Sequence, residues 1–167
     1  MFRKILAAIL SVFGITTSGA DGPSTTPPIA PADMAALKAE LCGLAERVAR
    51  EGYDTRLDYS VESIKHVERI LASIHDDYKR TKAEDGLNGI AAEFAAYIVT
   101  VIERHYGPAT WERDDPTFGP ASFPLRWRGA TVFPYSWCQK RIFEGPAEDV
   151  WSKFQALIIN HESHKPK

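Results

Sequence analysis

The 167-residue sequence has no basic field. Lysine and arginine number 20 against 22 aspartates and glutamates, a formal net charge of −2, and the basic residues are scattered along the chain. A surface that holds phosphate backbones needs concentrated positive charge, so nucleic acid is not an expected partner. There is no Gly-x-Ser-x-Gly elbow and no glycine-rich phosphate loop, which leaves a hydrolase or nucleotide-binding reading without its usual sequence support. No apolar run reaches the roughly 20 residues that a bilayer span requires. Cysteine is scarce, with only Cys42 and Cys138 present. In an oxidising compartment that pair makes one disulfide possible, between the first helix and the segment after Phe133. No internal repeat is visible.

What is present is the composition of a packed soluble protein, 44% hydrophobic and 25% charged. The length suits one ordinary domain. The first thirty residues stand apart from it. "MFRK" is a positively charged n-region, "ILAAILSVFGITT" a short apolar run, and "SGA" before Asp21 a small-residue cleavage site, so residues 1–20 read as a signal peptide. Its removal takes away Arg3 and Lys4, leaving 18 basic against 22 acidic residues and a net charge of −4. The expectation is an exported protein, periplasmic or secreted, with no stable membrane insertion after signal removal. "DGPSTTPPIAP", residues 21–32 with the following alanine, is a proline- and threonine-rich linker that has too little apolar surface to order itself. The domain is expected over residues 33–160, followed by a polar tail, 161–167.

Within the domain, "PADMAALKAELCGLAERVAREGYD" predicts a helix with Asp33 as N-cap, Gly52 as its C-terminal stop, and Leu37, Leu41, Leu44 and Val48 as the core stripe. A second helix follows Ser60 as cap, with Ile64, Val67, Leu71, Ile74 and Tyr78 on one arc. The third, "GIAAEFAAYIVTVIERHYGP", is apolar almost all round, and its alanines permit close approach of another element, which predicts a central helix. Beyond it the texture changes. "TWERD" and "FPLRWR" alternate apolar and polar residues and predict strands, "RGAT" a tight turn, and "TVF" another strand. A short helix is expected from Pro134 to Gly145, and a last one after Pro146 with Val150, Trp151, Phe154, Leu157 and Ile158 inward. The fold class is therefore α+β: three N-terminal helices packed on a small antiparallel sheet, with one or two short C-terminal helices.

The order "LDYSVESIKHVERIL", "AAYIVTVIERHYGPATW" and "VFPYSWCQKRIFEG" resembles a family of uncharacterised bacterial domains of unknown function. That pattern has a small-Ala-Tyr helix, a tryptophan past its end, and a Phe-Pro-aromatic segment leading to Lys-Arg and Gly. The resemblance runs from about Leu57 to Trp151. It implies a shared fold and no established activity, since Val99 and Thr100 stand where the pattern has Gly-Glu.

Candidate chemistry is sparse. Glu93, Thr100 and Arg104 form one polar line on the central helix, with His105 beside it, and make the candidate wall of a cleft because buried polar groups need partners. The histidines of "HESH", His161 and His164, have the spacing of two zinc ligands but no evident third, so neither a metal nor another cofactor is expected. In "FPLRWRGATVFPYSWCQKRI", alternation sends Leu125 and Trp127 inward with Phe133, Tyr135 and Trp137, and leaves Arg126 and Arg128 together outside. Tryptophan and arginine on an exposed hairpin are the materials of interface hot spots. These observations favour a non-enzymatic module that binds another protein, in the manner of an inhibitor or immunity protein. The alternative is a small periplasmic hydrolase with a cleft beside the central helix.

Overall fold

The computed structural model describes residues 29–163. The proposed signal peptide, most of the proposed linker, and His164 lie outside the described residues. The chain is an α+β protein. Helix α1 spans Pro31–Tyr53, α2 Ser63–Thr81 and α3 Leu87–Tyr106; strands β1 (Thr110–Trp111), β2 (Leu125–Trp127) and β3 (Ala130–Val132) follow, then helix α4, Pro134–Phe143. A 3-10 turn, Pro146–Glu148, leads into α5, Val150–Phe154, which continues through a π-helical turn, Gln155–Ile159, into α6, Asn160–Ser163.

Helix α1 starts earlier than the capping pattern predicts. Ala30 is the N-cap, Pro31 opens the first turn where its missing N–H costs nothing, and Asp33 sits inside that turn. It also ends past Gly52, at Asp54, which adopts the left-handed conformation (φ 46°, ψ 41°) and donates its N–H to Ala49 O. The inward face is Met34, Leu41, Cys42, Ala45 and Ala49, whereas Leu37, Leu44 and Val48 lie half-buried at its rim. The face turns toward small residues because α1 packs closely along α3. Ala45 and Ala49 meet a helix that is buried without interruption from Ala91 to Val99.

Helix α2 starts later than the Ser60 cap predicts: Glu62 is its N-cap, and Ser60 sits in the preceding turn, its hydroxyl accepting the Ser63 N–H at 3.2 Å. Ile64, Val67, Ile70, Leu71 and Ile74 bury the inner face of that helix. Helix α3 is the centre of the molecule, packed mainly between α1 and α4. Its end is Gly107, at φ 98°.

The sheet is antiparallel in the order β1-β2-β3, with Trp111 opposite Leu125 and Trp127 opposite Ala130. Arg128 and Gly129 form the two-residue hairpin turn, both at positive φ (50° and 79°), the geometry whose twist matches the flanking strands. Helix α4 buries Trp137, Cys138, Arg141 and Ile142. In the last helical segment Val150, Phe154 and Ile158 point inward, but Leu157 is 44% exposed, against the sequence expectation. The π turn, in which the Asn160 N–H bonds back to Gln155 O, inserts an extra residue into the helical register and rotates Leu157 outward.

Candidate protein-binding surface

The hairpin alternation predicted from sequence is realised in β2: Leu125 and Trp127 are buried and Arg126 is exposed. The Trp127 indole N–H donates to Tyr106 O at 3.2 Å, tying the sheet to the C-terminal end of α3. Phe133 and Tyr135 are only half-buried, while Trp137 is buried.

The two arginines are not idle surface charges. Arg126 Nη2 donates to Asp115 Oδ2 at 2.6 Å, Nη1 to Thr131 Oγ1 at 2.7 Å and Nε to Glu112 Oε2 at 3.3 Å. Arg128 departs from the strand alternation because it sits in the turn. Its left-handed backbone brings the guanidinium to 5.1 Å from the Trp127 ring centroid.

Sequence reasoning missed what Arg126 holds. Asp115 is only 5% exposed and organises the long β1–β2 connection. Its Oδ1 accepts the N–H groups of Thr117 (2.7 Å) and Phe118 (3.0 Å), and these bonds are the first causes that hold its carboxyl below the usual aspartate range. Phe118, carried by this loop, is 66% exposed, and its ring meets Phe133 edge-on at 4.8 Å. The available signal was "DDPTFG": an aspartate two residues before Thr117 is a turn-forming acceptor, and Gly119 takes φ 89°.

The polar line on α3 does not form one cleft wall. Thr100 Oγ1 donates to Ala96 O at 2.9 Å and lies 3.3 Å from Cys42 Sγ, beneath α1. Arg104 is exposed and stacks on Tyr59, 3.7 Å from the ring centroid. His105 Nε2 is 2.8 Å from Tyr59 O and must donate there, since a carbonyl can only accept. Tyr59 gathers this end of the helix. It sits at φ 61°, a left-handed value unusual for a bulky residue; its N–H donates to the Tyr97 hydroxyl at 2.7 Å and its own hydroxyl to Glu46. Glu93 is elsewhere. Twelve residues of helix separate it from His105, about 18 Å along the axis.

Glu93 is 2% exposed, and its Oε2 has no hydrogen-bond partner among the described residues. Burial pushes its carboxyl from 4.5 up to about 7, with the Arg47 charge opposing the shift. The folded chain therefore binds this proton more tightly than the unfolded chain between pH 4.5 and about 7. Its contribution to stability is fully present below pH 4.5, falls as pH rises through about 7, and is flat beyond. The interval corresponds to about 3 kcal/mol. Urea unfolding from pH 4.5 to 8.5 should show Glu93→Gln gaining on the parent by about that much as pH rises. Parallel curves would show that Glu93 finds a compensating partner.

Cys42 and Cys138 are not bridged; both are buried free thiols. Cys42 faces Thr100 from α1, whereas Cys138 lies on α4 within the fields of Glu68 and Lys153, away from the α1–α3 seam. Burial pushes both thiols above their ordinary range. Among the described residues no group of three or more His, Cys, Asp or Glu side chains is placed to hold a metal, and no helix is long and apolar enough to cross a membrane. A depression of about 410 Å³ lies between α2 and the Asp149–Trp151 segment. Part of its lining is paired: Glu68 accepts from Arg141 Nε (2.6 Å) and Val150 N (2.8 Å), and Lys65 Nζ sits 4.7 Å from the Trp151 ring centroid, whereas His66 Nδ1 has no hydrogen-bond partner among the described residues.

No family model matches the chain, and no curated protein and no solved structure is significantly similar to it. Fold and surface together define an α+β domain, helical at its centre, that carries a tryptophan-anchored hairpin with exposed arginine and an exposed aromatic loop.

Proposed function

We propose that the protein is an exported, periplasmic or secreted module that binds another protein, as an inhibitor or immunity protein does, and that the hairpin face bearing Arg126 and Arg128 is its contact surface. The observation that carries this reading is the build of that face. Trp127 is buried and hydrogen-bonded, so the strand is rigid, while Arg126 beside it keeps 43% of its side chain exposed. Rigid presentation of arginine and aromatic side chains is what interface hot spots require. The hydrolase reading draws less support, because Glu93 and His105 are about 18 Å apart along α3 and cannot act on one bond.

The test is capture by the full chain from an envelope extract of its own host, followed by titration. The Arg126→Ala/Arg128→Ala double variant should bind the captured protein more weakly by about 2 kcal/mol or more. Equal binding by parent and double variant would remove the hairpin from the contact.

A further inference from the structure

We propose that Phe118 is the anchor of this surface and that its partner is a protein with an uncharged apolar pocket that receives the ring; the proposal rests on the protein-binding reading above. The first argument is the connection itself. Antiparallel strands such as β1 and β2 can be joined by two to five residues. Here 112–124 lie between them without a regular element, a length at which connections usually serve a function.

The second argument is pre-organisation. Asp115 N donates to Gly119 O at 3.0 Å and Gly119 N to Asp115 O at 2.7 Å, closing a five-residue turn around Phe118. Asp115 Oδ1 fixes the Thr117 and Phe118 N–H groups from within, and Asp114 Oδ1 takes the Ala121 N–H at 2.8 Å. The backbone that carries the ring is thus ordered before any partner arrives, which removes a principal cost of association. Arg126, paired with Asp115 Oδ2, steadies this clamp while its exposed side stays on the contact face. Asp115 is a positioning residue, and Phe118 is the anchoring contact.

The third argument selects the partner. Around the ring the charges are paired within the chain, Arg113 with Asp114, and Arg126 with both Asp115 and Glu112. Pairing leaves the rim close to neutral, which disfavours a phosphate or a strongly charged patch as the group that meets the ring. A protruding aromatic with a neutral rim fits a concave apolar site, and its binding depends little on salt.

The experiment places a photoreactive p-benzoylphenylalanine at position 118 of the full chain in its own host, with position 79 as the control. The expected result is a discrete adduct with one host protein from 118 and none from 79. With that protein purified, Phe118→Ser should lower affinity about 30-fold or more. Asp115→Ala should lower it about 10-fold, while Asp115→Asn, whose amide oxygen still accepts both N–H groups but whose NH2 cannot accept from Arg126, should fall between the parent and the alanine variant. Raising salt from about 0.05 to about 0.5 M should change affinity by less than about threefold. Phe118 is exposed, so its serine variant decides the matter even if Asp115→Ala does not fold. If the captured protein binds Phe118→Ser as tightly as the parent, the anchor is overturned and the protein-binding reading stands. An adduct with a second copy of the chain, or with lipid, overturns the partner class. No adduct together with no capture by the parent overturns both.

Discussion

Gly145→Ala is expected to destabilise the protein by about 2–6 kcal/mol, from two separate causes. Gly145 sits at φ 98° and ψ −149°, a conformation that only glycine adopts without strain, and an alanine held there costs about 1–3 kcal/mol. A Cβ at this position would also lie 2.7 Å from His75 Nε2 and 2.9 Å from His75 Cε1. The ring cannot readily retreat, because its Nδ1 is held 2.8 Å from Ile142 O. Overpacking of this kind costs about 1–3 kcal/mol more. Urea denaturation of the single variants and of Gly145→Ala/His75→Ala separates the two causes. Removing the ring should relieve the clash and leave the backbone strain. A Gly145→Ala variant within about 1 kcal/mol of the parent would mean that the turn relaxes into another conformation.

Trp127→Ala is expected to cost a similar amount, about 3–5 kcal/mol. The side chain is 1% exposed, and its ring stands edge-on to Tyr106 at 6.4 Å and tilted against His161 at 5.3 Å. Truncation opens a cavity where the sheet docks on α3, and it strips the Tyr106 carbonyl of the indole N–H. Trp127→Phe keeps most of the ring and loses that hydrogen bond, so it should cost about 1–2 kcal/mol. Differential scanning calorimetry of the three proteins tests the ranking. Equal losses for alanine and phenylalanine would locate the effect in the hydrogen bond rather than in the packing.

The helices and the hairpin were legible in the sequence because their signals are local. Ile64, Val67, Leu71 and Ile74 recur at helical spacing, and α2 buries them as predicted. The Leu125–Arg126–Trp127 alternation likewise depends only on neighbouring residues, and the structure realises it; the tight turn expected over "RGAT" falls at Arg128–Gly129, with Ala130 already in β3. Near-continuous apolarity marked α3 as central, and it is the helix on which α1 and α4 pack. Local signals failed at the ends of elements. Asp33 and Gly52 have the chemistry of caps, but Pro31 and Asp54 supply the conformations that bound α1. Leu157 has the right spacing for the core and is turned out by the π-helical turn.

The functional surface was half legible. Arg126 was visible as an exposed arginine, but its role depends on Asp115, eleven positions away on another segment. Nothing in a linear pattern shows that these two meet, or that their meeting clamps Phe118. Glu93, Thr100 and Arg104 lie on one line of a helical wheel, with His105 next along the chain, yet α1 covers Thr100, Tyr59 engages Arg104 and His105, and Glu93 is left buried far from them. Cys42 and Cys138 could be counted from the sequence, but not placed. By itself, then, the sequence determined which residues turn inward in α2 and β2, since periodicity is a property of one segment's backbone geometry, whereas in α1 and the last helical segment the packing shifted the buried face. The tertiary structure alone decided which polar atoms find partners, because hydrogen bonds and ion pairs form only within about 3–4 Å, and packing angles between distant segments set those distances.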